Sequence, residues 1–175
     1  MSTSSDQHRM DNKTSSLELV RRFWALYQAR RWNEAMALLS PEASCLWWAT
    51  AERFEGAAAI VHVNAVYPEG WTIHLLELNR LIGTDDPASS ASLAPVQRVH
   101  SLVRVDQDGR SFYANSFFTV KAGKIHAIEE YWADTQAPPA WRRPEALPGL
   151  TAMKPDHREG LSLHLLDLAE RPSIQ

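Results

Sequence analysis

The stretch VQRVHSLVRVDQDGRSFYANSFFTVKAGKIHAIEEYWAD, Val96 to Asp134, decides the fold. Three runs rich in Val, Ile, Phe and Tyr are separated by Asp108-Gly109 and Ala122-Gly123. An Asp-Gly pair between such runs is a strong signal for a two-residue hairpin, because both turn positions need positive φ. Three consecutive antiparallel strands follow. Upstream, WTIHLLELNRLIG is a fourth, and its alternation slips at Leu75-Leu76, which predicts a bulge there. The polar segment TDDPASSASLAP between the two is expected to be a surface loop.

The first seventy residues are mainly helical. Leu17, Val20, Trp24 and Tyr27 recur at helical spacing, and Ser15 or Ser16 can cap that segment; residues 1–15 are polar and aperiodic and are expected to be disordered. Asn33 can cap a short second helix that Pro41 stops. The run from Ala43 to Trp48 is a buried strand, and EGAAAIVHVNAVYPEG a third helix. Helix, helix, strand, helix and a four-stranded meander make an α+β fold: a curved antiparallel sheet with three N-terminal helices on one face. The domain is expected over 16–134. Residues 135–175 form a Pro-rich arm with a possible short helix at 161–170, and three fates are open to it: wrapping the domain, reaching a partner, or staying loose.

Composition narrows the function. A net charge of −3 without a basic cluster argues against nucleic acid. No segment approaches a membrane span or a secretory signal, so a cytoplasmic protein is expected. Cys45 is the single cysteine and is expected to be a small buried apolar residue; the histidines lack metal-ligand spacing, and no glycine-rich phosphate loop occurs. Neither metal nor cofactor is expected.

The segments VRRFWALYQARRWNEAMALLSPEA, FEGAAAI and VKAGKIHAIEEYWADT, in this order, resemble the SnoaL-like branch of the nuclear-transport-factor-2-like superfamily over residues 16–134. The resemblance implies a cone-shaped, cystatin-like α+β roll enclosing an apolar pocket, often in homodimers. Members include ketosteroid isomerase, polyketide cyclases and non-catalytic modules. Matched to the isomerase, Phe23 stands at its oxyanion-hole tyrosine, Trp47 at its aspartate base and Asn115 at its protonated aspartic acid, so all three residue types differ. The resemblance therefore carries fold further than function.

Regular two-residue turns would set His100, Leu102 and Arg104 opposite Phe117, Asn115 and Tyr113, and these opposite Ile128, Glu130 and Trp132. That mixed face is the expected ligand pocket, lined by Leu102, Tyr113, Phe117, Ile128 and Trp132, with Tyr27, Trp47 and Tyr67 as further wall. The apolar face, with Val99, Val103, Phe118, Glu129 and Tyr131, is then the other side. Two occupied faces imply that one packs on helices and one on a second subunit, an expected homodimer. On the mixed face Glu130 is the candidate general base, His100 its acid partner and Asn115 an oxyanion donor. The plain alternative is an ion pair of Glu130 with Arg104 or Arg98. The expected function is a cofactor-free acid/base enzyme (isomerase, cyclase or dehydratase) on a small apolar carbonyl or polyketide-like molecule, or else a non-catalytic binding or dimerisation module.

Overall fold

A computed structural model describes residues 4–82, 96–154 and 158–169, those of 4–15 and 169 by backbone alone. Helix α1 spans Ser4–Gln28. It therefore starts well before the expected caps, and Ser16 is buried within it, accepting a hydrogen bond from Arg80 at 3.2 Å. Once the packed end is helical, each further residue adds a bond without a new nucleus. Of the residues 1–15 for which the sequence predicts disorder, 4–15 are helical and 1–3 lie outside the described residues. Val20, Phe23, Trp24 and Tyr27 form the buried stripe of α1, widened by Leu26. The helix ends at Arg30, whose φ of 57° is left-handed. Its guanidinium donates to the Gln28 and Trp71 carbonyls at 2.8 and 2.9 Å and pairs with Glu69, closing the helix end that an αL residue leaves open.

Then come α2 (Trp32–Met36), β1 (Leu39–Trp47), β2 (Glu52–Glu55), α3 (Ala57–Ala65) and the long strands β3 (Thr72–Leu81), β4 (Gln97–Gln107), β5 (Arg110–Lys121) and β6 (Lys124–Asp134). The sheet is curved and unclosed, in the order β2-β1-β6-β5-β4-β3. It has six strands rather than a four-stranded meander with one separate strand: β1 joins β6 in parallel, and the four-residue β2 adds to β1. Helices α1 and α3 pack on one face, over a core that includes Leu75, Val99, Val103, Phe118 and Ile125. The loop expected at 84–95 lies outside the described residues. No helix among the described residues is long and apolar enough to cross a membrane.

Two bulges set the side-chain directions. In β3 the register advances by one residue between Leu75 and Glu77, where the alternation of the sequence slips. The β4–β5 hairpin is regular, with Leu102 opposite Asn115 and Arg104 opposite Tyr113, and Asp108 and Gly109 both have positive φ. The β5–β6 hairpin is not. Val120 pairs with Ile125 but Thr119 pairs with Ala127, so His126 is an extra residue and everything after it changes sides. Glu130 thus opposes Ser116, and Tyr131 opposes Asn115. Ile128, Glu130 and Trp132 belong to the helix-facing side, while Glu129 and Tyr131 face outward.

After β6 most of the described residues are exposed until Leu161, whose N–H donates to the Leu75 carbonyl at 2.7 Å in an isolated antiparallel bridge. Helix α4 (Leu165–Ala169) then packs against α1. This end of the arm wraps its own domain. Trp141 is 65% exposed, with Arg142 over its ring.

Candidate functional site

The space between α1, α3 and the helix-facing side of the sheet holds a cavity of about 280 Å³. Its buried floor is made by Trp24 and Tyr27 of α1, Trp71, Ile73 and Val105. Half-buried Trp47, Phe112 and Trp132 form the walls, with Asn64 of α3. Exposed Ala49, Thr50, Glu52, Tyr67 and Asp134 surround the mouth. Seven of these side chains are aromatic and none is basic. The rings meet mostly edge to face: Trp47 and Trp132 have centroids 6.4 Å apart at 69°, and Trp47 and Phe54 4.7 Å apart at 66°.

Behind the walls stands Glu130, only 6% exposed. Its Oε2 accepts the indole N–H of Trp47 at 2.7 Å and that of Trp132 at 3.1 Å; its Oε1 accepts the Ser116 hydroxyl at 2.9 Å. Burial pushes the Glu130 pKa above the ordinary carboxylate value, and the three hydrogen bonds oppose that shift without cancelling it. The same environment raises the Tyr27 hydroxyl and the Cys45 thiol, in each case through burial first and then the nearby Glu130 charge. Cys45 is a buried, free thiol. Tyr27 Oη and Trp71 Nε1 are buried without a hydrogen-bond partner among the described residues.

Of the residues read from the sequence, Tyr27, Trp47, Tyr67 and Trp132 line this cavity. Ile128 lies on the same side, in the core and outside the lining. Leu102, Tyr113 and Phe117 do not approach it. They lie on the outer side of the sheet, because the pocket occupies the apolar face that the bulge at His126 completes with Glu130 and Trp132. The expected trio of Glu130, His100 and Asn115 is divided by the sheet. His100 Nε2 is 3.2 Å from Asn115 Oδ1 on the outer face, and Glu130 is on the inner one. The isomerase match of Asn115 to an inward acid fails for the same reason, and Phe23 is fully packed core.

The alternative ion pair is also corrected. Arg98 bonds Glu129 at 3.3 Å, and Arg104 makes two bonds to Asp106, at 3.1 and 3.2 Å. Glu52 and Phe112 line the cavity without any sequence signal that singles them out, and Asp134 lies at its mouth. Asp134 was within reach, since it shares the parity of Glu130 and Trp132. Among the described residues no group of three His, Cys, Asp or Glu could hold a metal.

No family model matches the sequence, and no curated protein does. Solved structures are similar in fold. A candidate ketosteroid isomerase from Kribbella flavida superposes with a TM-score of 0.63 at 22% identity, covering 84% of this chain and 96% of that one. An NTF2-like protein of unknown function from Burkholderia xenovorans gives 0.55 at 17% identity, covering 79% and 98%. A candidate polyketide cyclase from Xanthomonas campestris gives 0.52 at 15% identity, covering 70% and 93%. At these identities the likeness speaks for architecture: six curved strands, helices on one face and a cavity between them give this chain the nuclear-transport-factor-2-like fold.

Proposed function

We propose that this chain is a small-molecule pocket protein that binds a compact, largely apolar ligand between α1 and the sheet. One observation carries the reading: a cavity of about 280 Å³ whose floor and walls are almost wholly aromatic or aliphatic. Ligand pockets span roughly 300–1,000 Å³, so the guest is at the small end, nearer one or two rings than four. The test is a titration of the full chain with a panel of small aromatic ketones, alcohols and amines, read by tryptophan fluorescence, since Trp47 and Trp132 are in the wall. Saturable quenching together with a raised Tm supports the reading, and a panel without either effect sinks it.

Acid/base turnover of that ligand is the second reading, and a specific observation favours it. A buried carboxyl with a raised pKa, held against the pocket wall, is the kind of group that proton transfer at neutral pH requires. The fold likeness to a candidate ketosteroid isomerase and a candidate polyketide cyclase supports the idea of isomerisation, cyclisation or dehydration without a cofactor. In this reading Glu130 acts without His100 or Asn115. Two facts weigh on the side of binding: both Glu130 oxygens are already bonded, and Glu130 is behind the indoles rather than in the lining. Glu130→Gln separates the two. Its amide oxygen can take both indole N–H groups and its NH₂ can face Ser116, so the wall is kept while the acid is removed. Catalysis by Glu130 requires that turnover vanish in this variant while ligand affinity stays.

A further inference from the structure

The charged side chains that line the cavity are all acidic. Glu52 and Asp134 are at the mouth, Glu130 is behind the wall, and no Lys, Arg or His among the described residues is in the lining. The indole N–H groups of Trp47 and Trp132 are both turned to Glu130 Oε2, so the polar edges of these two rings are already satisfied. What they can still offer a guest is their faces. An aromatic face carries negative potential, and a carboxylate accepting the indole N–H adds to it. The protein already uses this chemistry beside the cavity. The Arg30 guanidinium carbon is 3.3 Å from the centroid of the Trp71 ring, and its charge is balanced by Glu69.

A neutral hydrocarbon gains nothing from carboxylates at its doorway, and an anion is repelled by them. We infer that the guest is an organic cation: an amine or quaternary ammonium on a small apolar frame, its charge against the Trp47 and Trp132 rings and its approach steered by Glu52 and Asp134. This rests on the binding reading above and names the ligand class for the same cavity. Trp71, in the floor, is the less favourable ring for a guest cation, because Arg30 already lies over it. A quaternary head suits aromatic faces, since it has no N–H that needs an acceptor.

The experiment titrates the full chain with benzyltrimethylammonium, its neutral carbon isostere neopentylbenzene, and benzoate, following tryptophan fluorescence. The inference expects the ammonium to bind about tenfold more tightly than the isostere, with benzoate weakest. It also expects Glu52→Gln combined with Asp134→Asn to lower ammonium affinity severalfold and leave that of the isostere unchanged. Both rim residues are exposed, so the variant should fold. Equal affinity for ammonium and isostere overturns the cation inference and leaves the pocket reading standing. Rim substitutions that do not affect ammonium binding overturn the steering role. Silence from all three ligands, together with silence from the wider panel, overturns the inference and the pocket reading alike.

Discussion

Trp47 donates its indole N–H to Glu130 at 2.7 Å, across from a second indole on the same oxygen. A pocket wall is thereby fastened to a buried carboxyl. Trp47→Phe keeps most of the ring and removes one of those bonds, and the expected cost is about 1–3 kcal/mol in urea unfolding. Glu130→Ala should cost more than Trp47→Phe, because two indole N–H groups and the Ser116 hydroxyl then lose their acceptor inside the core. An Ala variant as stable as wild type would mean that the clamp contributes nothing.

The pH dependence of Glu130 has a definite sign. Folding raises its pKa, so the folded chain holds this proton more tightly than the unfolded chain does. Its contribution is full below the ordinary glutamate value of about 4.3 and is lost as pH rises through the raised folded value. Stability measured against Glu130→Gln should therefore fall across that interval. Asp106 has the opposite sign. Burial alone would raise it, but the Ser111 hydroxyl, Arg104 and His74 together hold it below its usual range. Its contribution is present above the ordinary aspartate value and disappears as pH drops through the lowered one. Asp106→Asn should narrow its deficit against wild type under acid conditions, a trend that unfolding curves at several pH values will reveal.

The docking of the C-terminal arm depends on Gly160. A Cβ there would be 3.0 Å from the Leu75 nitrogen and 3.1 Å from its carbonyl oxygen, both backbone atoms that cannot swing away. Gly160→Ala is expected to loosen the Leu161–Leu75 bridge. Amide exchange at Leu161 should speed up in this variant, and proteolysis near 161–165 should become faster. Unchanged protection would show that the arm tolerates the methyl group.

The outer face of the sheet is proposed as a self-association surface. Trp48 and Tyr131 stack on it at 17°, with about half of each side chain exposed (51% and 48%), and Phe117 lies edge-on to Tyr131. Sedimentation should give a dimer for wild type and a monomer for Phe117→Lys with Tyr131→Lys. A monomeric wild type would end the proposal.

The fold was readable because its signals are local. Asp108-Gly109 set the β4–β5 register residue for residue, and the slip at Leu75-Leu76 marked a bulge that the strand contains. The candidate site failed twice: the pocket is on the apolar face rather than the mixed one, which leaves His100, Leu102, Tyr113, Asn115 and Phe117 outside, and the extra residue His126 moves Glu130 and Trp132 to the inner side. Both phases of KIHAIEEYWAD carry an acid and an aromatic, Glu130 with Trp132 and Glu129 with Tyr131, so composition could not tell inside from outside. A signal was present nonetheless: Ile125 and Ile128 are three apart, and both are buried, which a regular strand forbids. Strand β2 was hidden for another reason, since ERFE offers one apolar residue in four. The cavity walls come from every layer of the domain, a matter of packing that no local pattern encodes.

The bridge at Leu75 also bears on how this molecule behaves in a crowd. β3 is ten residues long and forms one margin of the sheet, where unpaired N–H and C=O groups could recruit a strand from another chain. A bulge bends that margin, and the returning arm occupies part of it. Chains shortened before Leu161 would then be expected to keep their pocket but aggregate more readily, through β3 and by strand addition.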